Sequence, residues 1–144
     1  MNDEQKTKVE SIVFKKLIEH LQNRTDVQNI DLMNLSGFCR NCLSRWYSEA
    51  AEETGLKIDK DHAREIVYGM PHSVWKEKYQ TDANDDQKAN FFYLLGVSYA
   101  NLKKWPQAYK TLDQALAVKP GFPPAQQLKV DIGNHLSKAT KDIH

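Results

Sequence analysis

The sequence has very little cysteine and no long apolar segment. Its only two cysteines, Cys39 and Cys42, are three positions apart, which excludes the several crosslinks of a disulfide-rich extracellular domain. No window approaches the roughly 20 apolar residues that span a bilayer. The first residues, MNDEQKTKVES, lack the apolar core of a signal peptide. We therefore expect a cytoplasmic protein that does not enter a membrane.

The sequence also lacks an excess of either charge. It has 20 basic and 19 acidic side chains and a net charge of +1, so no strong field attracts phosphate backbones or anionic lipid. This excludes nucleic acid as an expected partner. The charge is uneven along the chain, because all four arginines lie in residues 1–80. The 144 residues, 40% of them hydrophobic, suit one globular domain or two small helical units.

Strand patterns and familiar catalytic motifs are missing as well. No apolar run alternates cleanly between turn residues, so the pattern predicts an all-α fold. No GxSxG motif occurs, and the six glycines are too scattered for a phosphate-binding loop. These absences lead us to expect a protein that is not an enzyme.

The first half of the chain has the periodicity of four helices. Residues 8–22 carry an apolar stripe that is expected to face a core: Val9, Ile12, Val13, Leu17 and Leu21. Asp31 is the expected N-cap of a long helix over residues 32–54, which contains Gly37 and ends at Gly55 with Leu56 as its hydrophobic contact.

Two short helices are predicted to follow the long one. Asp59 caps the first, over residues 60–68, and Gly69 ends it, while Pro71 begins the second over residues 71–80. The polar stretch TDANDDQK then separates two domains, 1–82 and 83–144. The prediction is an N-terminal four-helix unit, with one long central helix, packed on a C-terminal helical unit.

Residues 89–120, ANFFYLLGVSYANLKKWPQAYKTLDQALAVKP, resemble one tetratricopeptide repeat. The matching positions hold large residues for packing and small residues that let two antiparallel helices approach closely: Phe92, Leu95, Gly96, Tyr99, Ala108, Leu112, Ala115 and Pro120. Residues 123–139 look like the capping helix that ends such arrays.

The resemblance implies that the hairpin binds a protein or peptide on the concave face of its first helix. By position, that face holds Asn90, Tyr93, Val97, Ala100 and Asn101. Alternatively, Tyr93 and Val97 pack against residues 60–80 and the hairpin is only structural. Because such repeats usually need about three units for stability, residues 60–80 or a second copy in a homodimer should cover the hairpin.

The N-terminal half contains uncommon strings, VQNIDLMNLSGFCRNCLSRWYSEAAEETG followed by REIVYGMP and WKEKYQ. Over residues 9–82 it resembles a family of short bacterial proteins known as domain of unknown function 1244. The resemblance implies a small helical fold in a bacterial cytosolic protein. It implies no activity.

Three roles compete for Cys39 and Cys42. Both sulfurs could lie in the core beside Leu35, Leu43 and Trp46, which is the interpretation the helical spacing favours. Zinc would require further ligands, for example a second Cys39–Cys42 pair from another copy, since the five histidines are scattered. Redox chemistry prefers a helix N-terminus, and it gains support only if Gly37 breaks the predicted long helix.

Arg40, Arg45 and Trp46 are a further candidate site, either for an anion or peptide or as an arginine stacked on Trp46. Taken together, the sequence favours a protein-binding or scaffold module acting through the C-terminal hairpin. The alternative is a thiol-redox or zinc protein centred on Cys39 and Cys42.

Overall fold

The computed structural model describes residues 1–141, and over that range the chain forms eight α-helices and no strand. This confirms the all-α prediction. In chain order the helices are α1 (Asp3–Asn23), α2 (Asn29–Ser36), α3 (Arg40–Glu53), α4 (Lys60–Tyr68), α5 (His72–Tyr79), α6 (Asp85–Asn101), α7 (Trp105–Val118) and α8 (Pro123–Lys141). Within the described part of the chain, every helix is too short or too polar to cross a membrane.

The chain divides into two compact units. The first runs from Met1 to Thr81 and contains α1 to α5, and the second begins at Asp82 and contains α6 to α8. The prediction of four helices in the first unit is wrong, because the predicted long helix is two helices.

Gly37 makes this break. It has φ of +77° and ends α2, with its N–H donating to the Met33 carbonyl. A left-handed residue terminates a helix, and glycine adopts this conformation without a steric penalty. The predicted cap was also misplaced: α2 begins at Asn29, and Asp31 lies in its first turn, where its carboxylate accepts from the Gln28 N–H at 3.2 Å.

Helix α1 differs from its prediction in the face that it buries. Ile18 and Leu21 are buried, but most of the predicted apolar stripe is exposed: Val9 by 50%, Ile12 by 47%, Val13 by 60% and Leu17 by 37%. The helix also starts earlier than predicted, because Asn2 and Gln5 form a reciprocal capping box. The part of α1 that packs against the core therefore begins at Phe14 and is fully buried only at Ile18 and Leu21.

The ends of α3 and α4 follow the prediction. The Leu56 N–H donates to the Ala51 carbonyl at 2.9 Å across Gly55, which has φ of +80°. The Leu56 side chain nevertheless stays largely exposed. The Asp59 carboxylate accepts from the N–H groups of Asp61 and His62, both at 2.9 Å, and caps α4 as predicted.

The core of the first unit forms where α1, α3, α4 and α5 meet. Its buried members come from all four helices: Ile18, Leu21, Leu43, Val67, Tyr68 and Trp75. Trp75 is 1% exposed and its ring meets that of Tyr68 edge-on at 5.1 Å. This core supports the first turn of α3, where the two cysteines lie.

The second unit is a helical hairpin, α6 and α7, followed by α8. Close approach of the hairpin depends on Gly96, because a Cβ added there would lie 2.9 Å from Leu112 Cδ2 and 3.6 Å from the Ala108 carbonyl oxygen. The buried core is made mostly of small side chains from α7 and α8: Ala108, Leu112, Ala115, Ala125 and Ile132. The sizes of these residues therefore decide how closely the helices pack.

Candidate dithiol site

The two sulfurs lie at the N-terminus of α3. Cys39 is the N-cap residue and Cys42 is the third residue of the helix, and their Sγ atoms are 3.8 Å apart. Both cysteines are free thiols. The predicted location deep inside a long helix is thus wrong, and the helix break that would strengthen the redox interpretation is present.

Arg40, the residue after Cys39, is a buried anchor. Its side chain is 1% exposed and donates to the carbonyls of Arg24 at 2.7 Å, Val27 at 2.8 Å and Leu21 at 3.2 Å, which lie at or just after the end of α1. The guanidinium also lies 4.9 Å from the centroid of the Trp75 ring. Arg40 therefore ties the start of α3 to the end of α1.

This arrangement overturns one prediction for Arg40 and Trp46. The arginine stacks on Trp75, and Trp46 instead contacts Phe38 with ring centroids 5.9 Å apart. Because Arg40 is committed to backbone carbonyls, it is not a surface site for an anion or peptide.

Asn41, the residue before Cys42, is held by a second set of hydrogen bonds. The Tyr68 hydroxyl donates to Asn41 Oδ1 at 2.9 Å and accepts from Asn29 Nδ2 at 2.9 Å. Asn29 Oδ1 in turn accepts from Arg40 at 3.2 Å. Both residues between the cysteines are thus fixed by the surrounding fold, which holds the sulfurs in place before any reaction.

The two thiols have different surroundings. Cys39 is 6% exposed, and burial raises the pKa of its thiol, although hydrogen bonds from the backbone N–H groups of Cys42 and Asn41 oppose the shift. Burial also raises the pKa of Tyr68, against a hydrogen bond from Asn29. Cys39 is consequently a protonated thiol near neutral pH, whereas Cys42 is only half-buried.

Cys42 borders a cleft of about 550 Å³ that lies within the first unit. Three cationic side chains line this cleft, Arg45 from α3 and Lys60 and Arg64 from α4. Of the two sulfurs, the cleft reaches Cys42 alone. A ligand in the cleft would therefore meet the Cys42 thiol, and the Cys39 sulfur lies 3.8 Å from that thiol.

A metal site gains no further ligands from the described structure. Within residues 1–141, no three histidine, cysteine or carboxylate side chains are grouped so as to hold a metal ion. His20, His62 and His135 are exposed and His72 is half-buried beside Tyr68, while His144 lies outside the described residues. Zinc shared between two copies through Cys39 and Cys42 stays a prediction.

The residues predicted to bind a peptide all lie on α6. Tyr93 and Ala100 pack against the core of the second unit, and the Tyr93 ring meets that of Phe122 at 5.5 Å. Asn90 and Val97 are half-buried and Asn101 is exposed. The two asparagines and Val97 share one helical face, since they are seven and four positions apart.

Sequence reasoning missed the cationic side of the cleft. Lys60 and Arg64 lie on α4, which is close to Cys42 only because α3 and α4 pack together. The one signal in the sequence was the confinement of all four arginines to residues 1–80. That signal could not show which of them would be near the cysteines.

The segment that matches a known protein family contains this site. No curated protein sequence matches the chain. Residues 27–92, which extend from the turn before α2 into α6 and include both cysteines and the cleft, match the family described as "Protein of unknown function (DUF1244)".

Proposed function

We propose that this protein carries out thiol–disulfide exchange through Cys42 and Cys39. The observation that carries the proposal is the placement of the pair at the start of α3, with 3.8 Å between the sulfurs and only Cys42 at the cleft. The backbone N–H groups of Asn41 and Cys42 at the start of α3 hydrogen-bond to Cys39, which partly offsets the cost of ionising this buried thiol when it attacks. The rigid setting of Arg40 and Asn41 keeps the second thiol within reach of the first.

The reaction has two steps. The Cys42 thiolate attacks one sulfur of a substrate disulfide, RSSR, forming a mixed disulfide and releasing one thiolate, which takes up a proton as RSH. Cys39 then loses its proton and attacks Cys42 Sγ, which forms the internal disulfide and releases the second RSH. The protein dithiol loses two electrons and two protons, and RSSR becomes two RSH.

Serine variants separate these two steps. After incubation with an aromatic disulfide, the reduced wild-type protein should lose two hydrogens in intact mass. Cys39→Ser should stop at a mixed disulfide on Cys42. Cys42→Ser should react at least about tenfold more slowly than wild type, because the remaining thiol is buried.

The pH dependence provides a further check on the roles. Because the pKa of Cys39 is raised, closure to the internal disulfide should accelerate as pH rises, and the mixed disulfide should persist longer at low pH.

Circular dichroism of the Cys39→Ser and Cys42→Ser variants should match that of the wild type. The proposal is wrong if the wild type never forms the internal disulfide, or if Cys42→Ser reacts as fast as wild type.

A second candidate function is peptide binding by the second unit. It is favoured by the polar face of α6 formed by Asn90 and Asn101, which flank Val97. Carboxamides can both donate to and accept from a peptide backbone. The close α6–α7 packing around Gly96 also agrees with the tetratricopeptide resemblance.

For this candidate, the double variant Asn90→Ala with Asn101→Ala should lose at least about tenfold in recovery of specific partners, measured by quantitative pull-down, as expected for two lost hydrogen-bonding anchors. Asn134→Ala, an exposed asparagine on α8, is the matched control and should leave recovery unchanged. Equal recovery by all three proteins would argue against a role for this face.

A further inference from the structure

The charged side chains that line the cleft at Cys42 are all basic. Its volume of about 550 Å³ is within the usual range of small-molecule sites, about 300–1,000 Å³. Arg45, Lys60 and Arg64 line it, and no carboxylate does. A ligand in this cleft would therefore meet basic groups together with the Cys42 thiol.

Two neighbouring carboxylates reduce this charge only partly. Glu49 lies 3.4 Å from Arg45, and Asp61 lies 3.5 Å from Arg64, but the carboxylate side chains are 57% and 88% exposed. Ion pairs at such exposed positions are weak and are screened by salt. The arginines therefore stay available to an anion that enters the cleft.

The backbone adds to the preference for an anion. The first turn of α3 contributes Asn41 and Cys42 to the cleft, and Lys60 is the first residue of α4. Helix N-termini carry partial positive charge, and the start of α3 has no side-chain cap. At the start of α4 the Asp59 carboxylate already accepts from the first N–H groups, so this helix contributes only the Lys60 and Arg64 side chains. Ile58 gives the cleft an apolar contact.

On the basis of the proposed thiol exchange, we propose that the disulfide exchanged at Cys42 belongs to a small molecule or peptide that carries carboxylates. Arg45, Lys60 and Arg64 bind these carboxylates and so place the disulfide bond at Cys42 Sγ. The electron and proton balance is that of the exchange above, with the acidic disulfide as oxidant. Opposite charge also raises the rate of encounter.

Two disulfides of opposite charge test this inference. Oxidised glutathione is anionic near neutral pH, and cystamine is a cationic disulfide. At low salt the reduced wild-type protein should form its internal disulfide at least about tenfold faster with oxidised glutathione, a range reached by electrostatic steering. The ratio of the two rates should fall as salt is added.

Charge-removing variants identify the groups responsible. Lys60→Gln combined with Arg64→Gln should bring the ratio of rates close to one, mainly by slowing oxidised glutathione. Lys8→Gln combined with Lys15→Gln on exposed α1 removes the same charge away from the cleft and should leave the ratio unchanged. Circular dichroism of both double variants should match that of the wild type.

The outcomes distinguish this inference from the proposed function. Equal rates with both disulfides, or a ratio that the Lys60 and Arg64 substitutions do not alter, would overturn the preference for an acidic substrate while leaving thiol exchange standing. Failure of both disulfides and of the aromatic disulfide to form the internal disulfide would overturn thiol exchange, and this inference with it.

Discussion

Replacement of Arg40 with alanine is expected to lower the free energy of unfolding of the first unit by about 3–5 kcal/mol, the range for truncating a large buried side chain, with added loss from carbonyls that no longer have a charged donor. The guanidinium donates to the carbonyls of Leu21, Arg24 and Val27 and packs on Trp75. Alanine would leave buried carbonyls without these donors and a cavity against the indole ring.

Urea unfolding followed by tryptophan fluorescence measures this loss, and hydrogen exchange assigns it to helices of the first unit. The matched control is Arg45→Ala on the same helix, whose side chain is 65% exposed and paired with Glu49. Its effect should be at most about 1 kcal/mol. Similar stabilities for the two variants would show that Arg40 is not an anchor.

Arg40→Ala should also alter the dithiol site. Arg40 adjoins Cys39, so loss of the anchor frees the first turn of α3 and exposes the buried sulfur. Thiol titration should then detect two accessible thiols in the folded Arg40→Ala protein where the wild type presents mainly Cys42. Arg45→Ala should retain the wild-type pattern.

Gly96→Ala is expected to destabilise the second unit by about 1–3 kcal/mol, the typical effect of adding volume to a packed core. The new Cβ would lie 2.9 Å from Leu112 Cδ2 and 3.0 Å from its Cγ. Leu112 is fully buried, so its side chain cannot turn away into solvent. The overlap should outweigh the gain of about 1 kcal/mol that alanine brings in a helix interior.

Gly133→Ala in α8 is the matched control, because the nearest atom to its new Cβ, Tyr109 Cε2, is at an ordinary distance of 3.6 Å. This substitution should stabilise the unit by about 0.5–1 kcal/mol through helix propensity. Thermal unfolding and hydrogen exchange of α6 to α8 compare the two variants. A stabilising effect of Gly96→Ala would contradict the close approach of α6 and α7.

Local features of the chain were predictable because their causes are local. Asp59 caps α4 through N–H groups two and three residues away, and Gly69 ends that helix with φ of +73°. Gly55 similarly ends α3. Such caps depend on a few neighbouring residues, so the sequence alone identified them.

The break at Gly37 was not predictable with the same certainty. The apolar spacing continues across residues 32–54, and one glycine in a helix interior is tolerated at about 1 kcal/mol. In the fold, α2 ends there and Cys39 begins α3, with Arg40 buried against the end of α1. Contacts between residues distant in the chain outweighed the local periodicity.

The sequence by itself determined the helical class, the ends of α4, the glycine that ends α3 and the small residues that let α6 and α7 approach. Tertiary structure decided which parts of α1 are buried, where the sulfurs lie, and which cations share a cleft with Cys42. The physical reason is the distance along the chain over which each interaction acts, because caps and periodicity involve only a few neighbouring residues. The burial of Arg40 and the grouping of cationic side chains near Cys42 depend on helices that only folding brings together.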